Sequence, residues 1–144
     1  LYIHNCFHRI DKIIGGGLFS GEITEIAGPP GSGKTQFCLT FAASTVMKSG
    51  CRVLYVDSTG SFSSFRFSEV LLSRSPQFQE ETLHEHLRRM LVVTVADYQQ
   101  LAELIENLTE NVDDILFNLK AIIVDHIGTI LSPLSWSCYK TGTK

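Results

Sequence analysis

The residues with the clearest chemistry are the eight from Gly28 to Thr35, which read GPPGSGKT. They fill every fixed position of the phosphate-loop pattern G-x-x-x-x-G-K-[ST]. Glycines allow the backbone to turn its N–H groups inward, so the loop becomes a nest for anions. We expect Lys34 to bring its charge to the β- and γ-phosphates of a nucleotide, and the Thr35 hydroxyl to bind Mg²⁺. The expected nucleotide-binding residues are Gly28, Pro29, Pro30, Gly31, Ser32, Gly33, Lys34, Thr35 and Gln36.

The segments on either side of this loop have the character that a phosphate loop needs. Glu22 to Ala27 alternates and then becomes apolar, which predicts a strand. Thr35 to Lys48 has apolar residues at helical spacing, which predicts a helix whose positive N-terminal end faces the phosphates. The alternative is a chance match in a glycine-rich turn, and it does not account for this strand, loop and helix order.

A second candidate for nucleotide chemistry is Asp125, the last residue of the segment Lys120 to Asp125, in which residues 121–124 form a continuous apolar run. A continuous apolar run of this length predicts a strand that is covered on both faces. In ATPases with a phosphate loop, an acid at this place holds Mg²⁺ directly or through water. An Asp at the end of a buried strand can also be only a turn residue, so the assignment depends on the complete loop upstream. Thr35 and Asp125 are therefore the predicted Mg²⁺ ligands.

Strand and helix patterns alternate between these two motifs. The predicted strands are Arg52–Asp57, Leu91–Val95 and Lys120–Asp125, and the predicted helices cover 62–74, 80–90 and the residues that follow Asp97, a good N-cap. Such alternation predicts an α/β fold with a mostly parallel sheet flanked by helices.

Length and composition are those of one compact domain, with 144 residues of which 44% are apolar. The net charge of −3 gives no general attraction to a nucleic-acid backbone, so any DNA contact would be local or supplied by a partner. The four cysteines form no CxxC pair. No apolar run approaches the roughly 18 residues of a membrane span. We therefore expect an intracellular protein with reduced thiols and no membrane association.

The surroundings of the phosphate loop resemble the core of RecA/RadA-type recombinases. The resemblance rests on IDKIIGGG at 10–17, SGEITEI at 20–26 and GPPGSGKTQ at 28–36, and it continues through VLYVDSTGSF at 53–62 and AIIVDHIGTILSP at 121–133. It thus covers most of the chain and is strongest for the eukaryotic recombinase paralogues, particularly the delta type. It implies a RecA-like P-loop NTPase core that binds ATP and Mg²⁺, a role in homologous-recombination DNA repair and a place in the nucleus. The implied partners are other recombinase paralogues and the main recombinase filament.

One departure from the family pattern concerns hydrolysis. Active recombinases have Y-[IV]-D-T-E-G-x-F, in which the Glu polarises the attacking water, and this chain has Thr59 in the place of that Glu. A hydroxyl is not a general base at neutral pH, and Asp57 is the alternative base. We expect no confident catalytic residue beyond phosphate stabilisation by Lys34, and hence an ATP-gated structural component with weak or absent hydrolysis. The alternatives are an active, DNA-dependent ATPase and, with less support, a small-molecule phosphotransferase.

The second departure is the extent of the chain. We expect residues 1–144 to form a single partial ATP-binding domain, truncated after the strand that ends at Asp125, with an approach segment at 1–20 and an irregular tail at 134–144. A RecA-type core continues into further strands and two DNA-contacting loops. We therefore expect DNA contact only through those missing loops or through partners.

His126 follows the predicted strand where the family usually has Ser or Thr. It would either sense the γ-phosphate or simply pack. Arg88 and Arg89 end a predicted helix, where they would act as an arginine finger on a neighbour's phosphate or stabilise the helix end.

Two further expectations concern packing. His84 and His86 are two apart on a predicted helix and are expected at the surface. Phe62, Phe65 and Phe67 are expected to form an aromatic cluster with Arg66 that packs in the core or, with less support, contacts a partner.

Overall fold

The computed structural model describes residues 2–3, 8–13, 15–110 and 117–132. In chain order the elements are β1 Tyr2–Ile3, α1 His8–Ile13, β2 Leu18–Phe19, α2 Lys34–Val46, β3 Arg52–Asp57, α3 Ser64–Arg74, α4 Glu80–Arg88, β4 Met90–Thr94, α5 Tyr98–Glu110 and β5 Leu119–Asp125. Residues 127–132 are also helical, and the tail predicted at 134–144 lies outside the described residues. Within the described ranges, no helix has both the length and the apolar character needed to cross a membrane.

The main sheet has three parallel strands in the order β4-β3-β5. The register pairs Asp57, the last residue of β3, with Thr94 on one side and with Asp125 on the other. Two acidic residues therefore lie side by side at the carboxyl edge of the sheet, where ligands of parallel α/β sheets usually bind. A separate small sheet pairs β1 with β2 in antiparallel orientation.

The central strand β3 is buried on both faces. Tyr55 belongs to the core cluster that joins the sheet to α2 and α3, whereas Leu54 and Val56 belong to a second cluster with Leu108 of α5. Successive side chains of a strand point to opposite faces, so a strand between two helical layers must be apolar at every position. This confirms the predicted parallel sheet with flanking helices.

Most predicted boundaries are correct to within two residues. Helix α3 begins at Ser64 because the Ser63 side chain accepts a hydrogen bond from the backbone N–H of Arg66 (3.2 Å) and so caps the helix. The predicted cap of α5 is confirmed, since Asp97 Oδ1 accepts from the N–H of Gln100 at 2.9 Å.

The strand predicted at Glu22–Ala27 is wrong. Residues 22–29 have no regular secondary structure, Ile23 is fully exposed and Ile26 is 38% exposed. A strand needs a neighbour that accepts and donates the ladder hydrogen bonds, and no strand among the described residues pairs with this segment. The alternating pattern identifies a segment that can form a strand, but it does not supply the neighbour.

The surface prediction for His86 is also wrong. Its side chain is buried, its Nδ1 lies 3.1 Å from the carbonyl oxygen of Val46, and its ring packs on Phe78 with a centroid distance of 5.1 Å. Val46 ends α2, where backbone carbonyls lack intrahelical partners. His86 therefore donates to a helix end that sequence spacing alone does not reveal, whereas His84 is exposed as expected.

The aromatic cluster is only partly confirmed. Phe62 and Phe67 pack with a centroid distance of 6.3 Å, but Phe65 is 72% exposed. Helix α3 buries Phe67, Val70 and Leu71, which have the i, i+3, i+4 spacing of one helical face. Phe65 lies outside that face.

Replacing Phe67 with Ala should lower the free energy of unfolding by about 3–5 kcal/mol, because the change removes a fully buried ring and leaves a cavity. The matched change Phe65→Ala on the same helix should shift it by less than about 0.5 kcal/mol, since that ring is exposed. Urea denaturation of both variants measures the difference. Equal losses would contradict the packing of α3.

Candidate nucleotide site

The phosphate loop has a backbone that its glycines make possible. Gly31 and Gly33 have φ angles of 77° and 92°, in the left-handed region that side chains disfavour. At Gly28 an added Cβ would lie 2.7 Å from Ser32 Oγ, closer than real contacts allow. The loop thus depends on glycine at positions 31 and 33, whereas a side chain at position 28 would require the Ser32 side chain to move.

Helix α2 begins at Lys34, so the last two residues of the phosphate loop form the start of the helix. Gly33 caps it without a side-chain hydrogen bond, and its first turn contains no acidic residue. The N–H groups of that turn, with the partial positive charge of the helix end, are therefore available to an anion. The Lys34 amine lies over the loop, where it donates to the carbonyl oxygens of Gly28 (2.7 Å) and Pro29 (2.9 Å).

A cavity of about 300 Å³ opens beside the loop. It is lined by Pro30, Gly31, Gly33, Lys34, Thr35, Gln36 and His126. Its volume is at the lower end of the range for small-molecule sites. Six of the nine predicted nucleotide-binding residues therefore line one concave surface.

The predicted Mg²⁺ ligands, Thr35 and Asp125, are in direct contact. The Thr35 hydroxyl donates to Asp125 Oδ2 at 2.9 Å, and the carboxylate is 5% exposed. These residues are 90 positions apart in the chain, and the fold joins them because β5 ends beside the start of α2. A hydroxyl and a carboxylate are hard oxygen donors of the kind that Mg²⁺ prefers, and Mg²⁺ commonly takes its other ligands from water and phosphate. The residues present therefore fit this cation.

Sequence reasoning missed Tyr55. Its side chain is 1% exposed, and its hydroxyl donates to Asp125 Oδ2 at 2.7 Å. Burial, followed by this hydrogen bond and the nearby negative charge, raises the pKa of Tyr55 well above its ordinary value, so the phenol keeps its proton. A signal was present, because Tyr55 is the one polar-tipped residue in the apolar stretch VLYV and a buried hydroxyl needs a partner.

The Asp57 carboxylate is hydrogen-bonded to the loop that follows it in the chain. Its carboxylate accepts hydrogen bonds from the backbone N–H groups of Thr59 (3.0 Å), Gly60 (3.1 Å) and Phe62 (2.7 Å). Desolvation by burial raises the pKa of Asp57, but these three donors and the Thr59 hydroxyl outweigh it and leave the pKa below its ordinary value. Asp57 therefore holds the loop after β3 in place, and its action as a base in place of Glu stays a prediction.

Thr59 has its hydroxyl directed at Asp57. The oxygen lies 3.1 Å from Asp57 Oδ1 and 2.7 Å from Ser61 Oγ. Thr59 is also not among the described residues that line the cavity. The position that carries Glu in active recombinases thus presents neither a carboxylate nor a free hydroxyl to the phosphate loop.

His126 lies at the cavity rather than in a packed interior. Its backbone is in the left-handed region, with φ 61°, and its side chain is 44% exposed. The Ser58 hydroxyl lies within 3.0 Å of the carbonyl oxygen of Asp125 and 2.9 Å of that of His126, and the Thr129 hydroxyl also donates to His126. These contacts stabilise the turn after β5. Sensing of the γ-phosphate stays a prediction.

Arg89 stabilises the end of α2, a different helix from the one whose end it was predicted to stabilise. Its guanidinium donates to the carbonyl oxygens of Val46 (2.9 Å) and Lys48 (3.1 Å) and pairs with Glu85. A cation at a helix C-terminus is favourable. These hydrogen bonds hold Arg89 against the end of α2, and they do not favour its interpretation as an arginine finger.

Comparison with known proteins agrees with the fold and with the phosphate loop described above. Residues 5–135 match the family described as "ATPase: KaiC". The chain belongs to this ATPase family. The resemblance to RecA/RadA-type recombinases and the RecA-like α/β fold are both confirmed, and the chain carries part of the ATPase core of that family. Membership implies nucleotide binding.

Three similar proteins illustrate the relationship. This ATPase-family chain is 36% identical over 129 residues to the DNA repair protein RAD51 homolog 4 of Bos taurus, which covers 87% of the chain and 39% of that relative. It is 33% identical over 118 residues to the DNA repair and recombination protein RadB of Thermococcus kodakarensis, which covers 82% of the chain and 48% of that relative. The crystal structure of the RadB recombinase aligns with a TM-score of 0.66 at 28% identity, which covers 85% of the chain and 50% of that structure. The chain spans less than half the length of the curated relatives described here.

Replacing Asp57 with Asn should lower the free energy of unfolding by about 1–3 kcal/mol at neutral pH, because the charged carboxylate accepts at both oxygens, whereas an amide has one oxygen and leaves at least one of these partly buried N–H donors unpaired. The pKa of Asp57 is lowered in the folded state, so its stabilising effect is fully present above the ordinary value of 3.8 and is lost as the pH falls through the lowered value. The difference between natural chain and variant should therefore shrink in acid. Urea denaturation from pH 7 downward measures it.

Asp97→Asn provides the control for this experiment. Asn caps a helix about as well as Asp, so this variant should unfold like the natural chain at pH 7. A loss at Asp97 as large as that at Asp57 would show that the bonds to the loop are not the cause.

Proposed function

We propose that the chain is an ATP-binding recombinase paralogue that acts in homologous-recombination DNA repair as an ATP-gated assembly component with weak or absent hydrolysis. One observation carries the proposal. The phosphate-binding groups face a common cavity, whereas Thr59, in the place of the catalytic Glu, is bonded to Asp57 and Ser61 instead.

The proposed ligand is ATP with Mg²⁺. The inward-turning loop and the first turn of α2 would bind the phosphates through backbone N–H groups, and Lys34 would leave the carbonyls of Gly28 and Pro29 to bind the terminal phosphates. Thr35 and Asp125 would hold the cation. When bound, Mg²⁺ neutralises charge on the β- and γ-phosphates.

Slow hydrolysis is expected because the groups that could activate a water molecule are hydrogen-bonded to other residues. A water molecule needs a carboxylate or another base to orient and deprotonate it, and such general-base effects contribute about 10²–10⁴ in rate. Asp57 accepts bonds from its own loop at both oxygens, and Thr59 is tied to Asp57. Bound ATP would then serve mainly to fix a conformation.

A role in assembly is supported by the surface next to the site. Strand β5 is at the edge of the described three-stranded sheet, and Ile122 on it is 51% exposed. Ile127 and Leu131, which follow in the chain, are 43% and 42% exposed. Exposed apolar residues beside a sheet edge favour contact with further strands of the same core or with a partner. The proposed partners are other recombinase paralogues and the main recombinase filament in the nucleus, with DNA reached through further loops or those partners.

The strongest alternative is an active, DNA-dependent ATPase, which the complete set of Lys34, Thr35 and Asp125 would permit. A small-molecule phosphotransferase has less support, because it needs free arginines to clamp the donor phosphates. Arg66 is bonded to Gln36 and Glu69, and Arg89 is bonded to the end of α2.

Steady-state phosphate release tests the hydrolysis proposal. The natural chain should bind ATP and release phosphate no faster than Lys34→Ala, which should lose ATP binding. Thr59→Glu should raise release by about 10²-fold, because it restores a carboxylate at the position where active recombinases have Glu. The same change at the exposed Thr109 should have no effect. Turnover by the natural chain well above the Lys34→Ala blank would contradict the proposal and favour the ATPase.

Replacing Asp125 with Asn should weaken nucleotide binding in Mg²⁺ about tenfold, because the variant lacks the carboxylate charge that attracts the cation. Binding in the presence of EDTA should stay the same. Fluorescent ATP analogue titrations in both conditions measure the two affinities, and Asp97→Asn is the charge-matched control. An unchanged affinity in Mg²⁺ would show that Asp125 does not hold the cation.

A further inference from the structure

We propose that Tyr55 is the positioning residue that sets the orientation of the Asp125 carboxylate for Mg²⁺. The inference rests on the nucleotide and Mg²⁺ site of the proposed function and assigns to that site a residue outside the phosphate loop. Tyr55 acts through Asp125 and is not among the described residues that line the cavity.

The two hydroxyl donors on Asp125 converge on one oxygen. Thr35 donates to Oδ2 at 2.9 Å and Tyr55 donates to the same Oδ2 at 2.7 Å. The other oxygen, Oδ1, lies 3.3 Å from Nδ1 of His126, a residue that lines the cavity. Two bonds to Oδ2 thus restrict rotation of the carboxylate and leave Oδ1 beside His126.

Tyr55 is well suited to hold a carboxylate because it cannot easily move. It lies on the central strand β3, its ring is 5.2 Å from that of Phe62, and its side chain is 1% exposed. The register pairs Tyr55 with Ile123, two residues before Asp125 and therefore on the same face of β5. The position of the phenol oxygen is set by the sheet itself.

Thr35 alone would hold Asp125 less firmly once the site is in use. The Thr35 hydroxyl has one proton and its lone pairs are needed by the cation, and Thr35 belongs to the loop that a nucleotide would contact. Tyr55 has no such second task. Residues that orient metal ligands in this way typically change metal affinity by 10–100-fold when they are replaced.

The opposing explanation is that Asp125 only satisfies a buried phenol. In that case loss of the hydroxyl would change stability and nothing else. Tyr55→Phe separates the two explanations, because it keeps the ring contact with Phe62 and removes only the hydrogen bond.

The experiment measures binding of a fluorescent ATP analogue by the full chain as a function of Mg²⁺ concentration, and again in EDTA. Tyr55→Phe should raise the half-maximal Mg²⁺ concentration about tenfold, with affinity in EDTA unchanged. The matched control is Thr45→Val, which removes another buried hydroxyl, bonded to the Phe41 carbonyl at 3.0 Å in α2. It should lower the unfolding midpoint without any change in Mg²⁺ dependence.

A double variant tests whether Tyr55 acts through Asp125. In an Asp125→Asn background, Tyr55→Phe should cause no further change in Mg²⁺ dependence. A full additional tenfold rise in that background would overturn the inference. So would a Tyr55→Phe protein that is less stable but has natural Mg²⁺ dependence.

Two other outcomes distinguish a failure of this inference from a failure of the proposed function. If Asp125→Asn shifts the Mg²⁺ dependence and Tyr55→Phe does not, the site is correct and the role of Tyr55 is wrong. If the natural chain shows no Mg²⁺-dependent binding, both are wrong. Should Tyr55→Phe not fold, Phe62→Leu loosens the ring and keeps the hydroxyl. It should then raise the half-maximal Mg²⁺ concentration to a smaller extent, and no rise would overturn the inference.

Discussion

The hydrogen bonds of the Asp125 carboxylate are the interaction on which the rest of the site depends. They join the end of β5 to the first turn of α2 through Thr35 and to the central strand β3 through Tyr55. A buried carboxylate is stable only where donors replace the lost water, so the three elements must meet at this point. The phosphate loop is thereby held at a defined position over the carboxyl edge of the sheet.

Two acids at the same edge have different roles because their partners differ. Parallel pairing of β3 with β5 places Asp57 and Asp125 side by side. Asp57 is surrounded by the backbone N–H groups of the loop that follows it and becomes a structural anchor. Asp125 receives side-chain hydroxyls and borders the cavity through His126. The acid nearest the position that carries Glu in active recombinases thus organises the loop that follows it.

Prediction from sequence succeeded wherever the signal was local. The strands β3 and β5, the cap of α5 at Asp97 and the glycine turn of the phosphate loop follow from spacing and backbone preference, which act over a few residues. Prediction failed where a residue or strand far away in the sequence determines the structure of a segment. Glu22–Ala27 has a strand pattern without a described neighbour, and His86 is buried because the end of α2 needs a donor. Neither partner can be read from the segment itself.

The sequence by itself determined that this chain has a phosphate-binding loop ahead of a helix, an acid at the end of a buried strand, and Thr59 where active recombinases have Glu. These are properties of residue type and spacing, and they specified the family. Only the tertiary structure decided that the Asp57 carboxylate accepts hydrogen bonds from its own loop, that the Thr59 hydroxyl bonds to Asp57 and that Tyr55 donates to Asp125. For Tyr55 and Asp125 the physical reason is that hydrogen bonds between residues 70 to 90 positions apart depend on strand register and helix placement, which no local pattern encodes. For Asp57 and Thr59 it is the backbone path of the loop after β3, which brings its N–H groups to the Asp57 carboxylate.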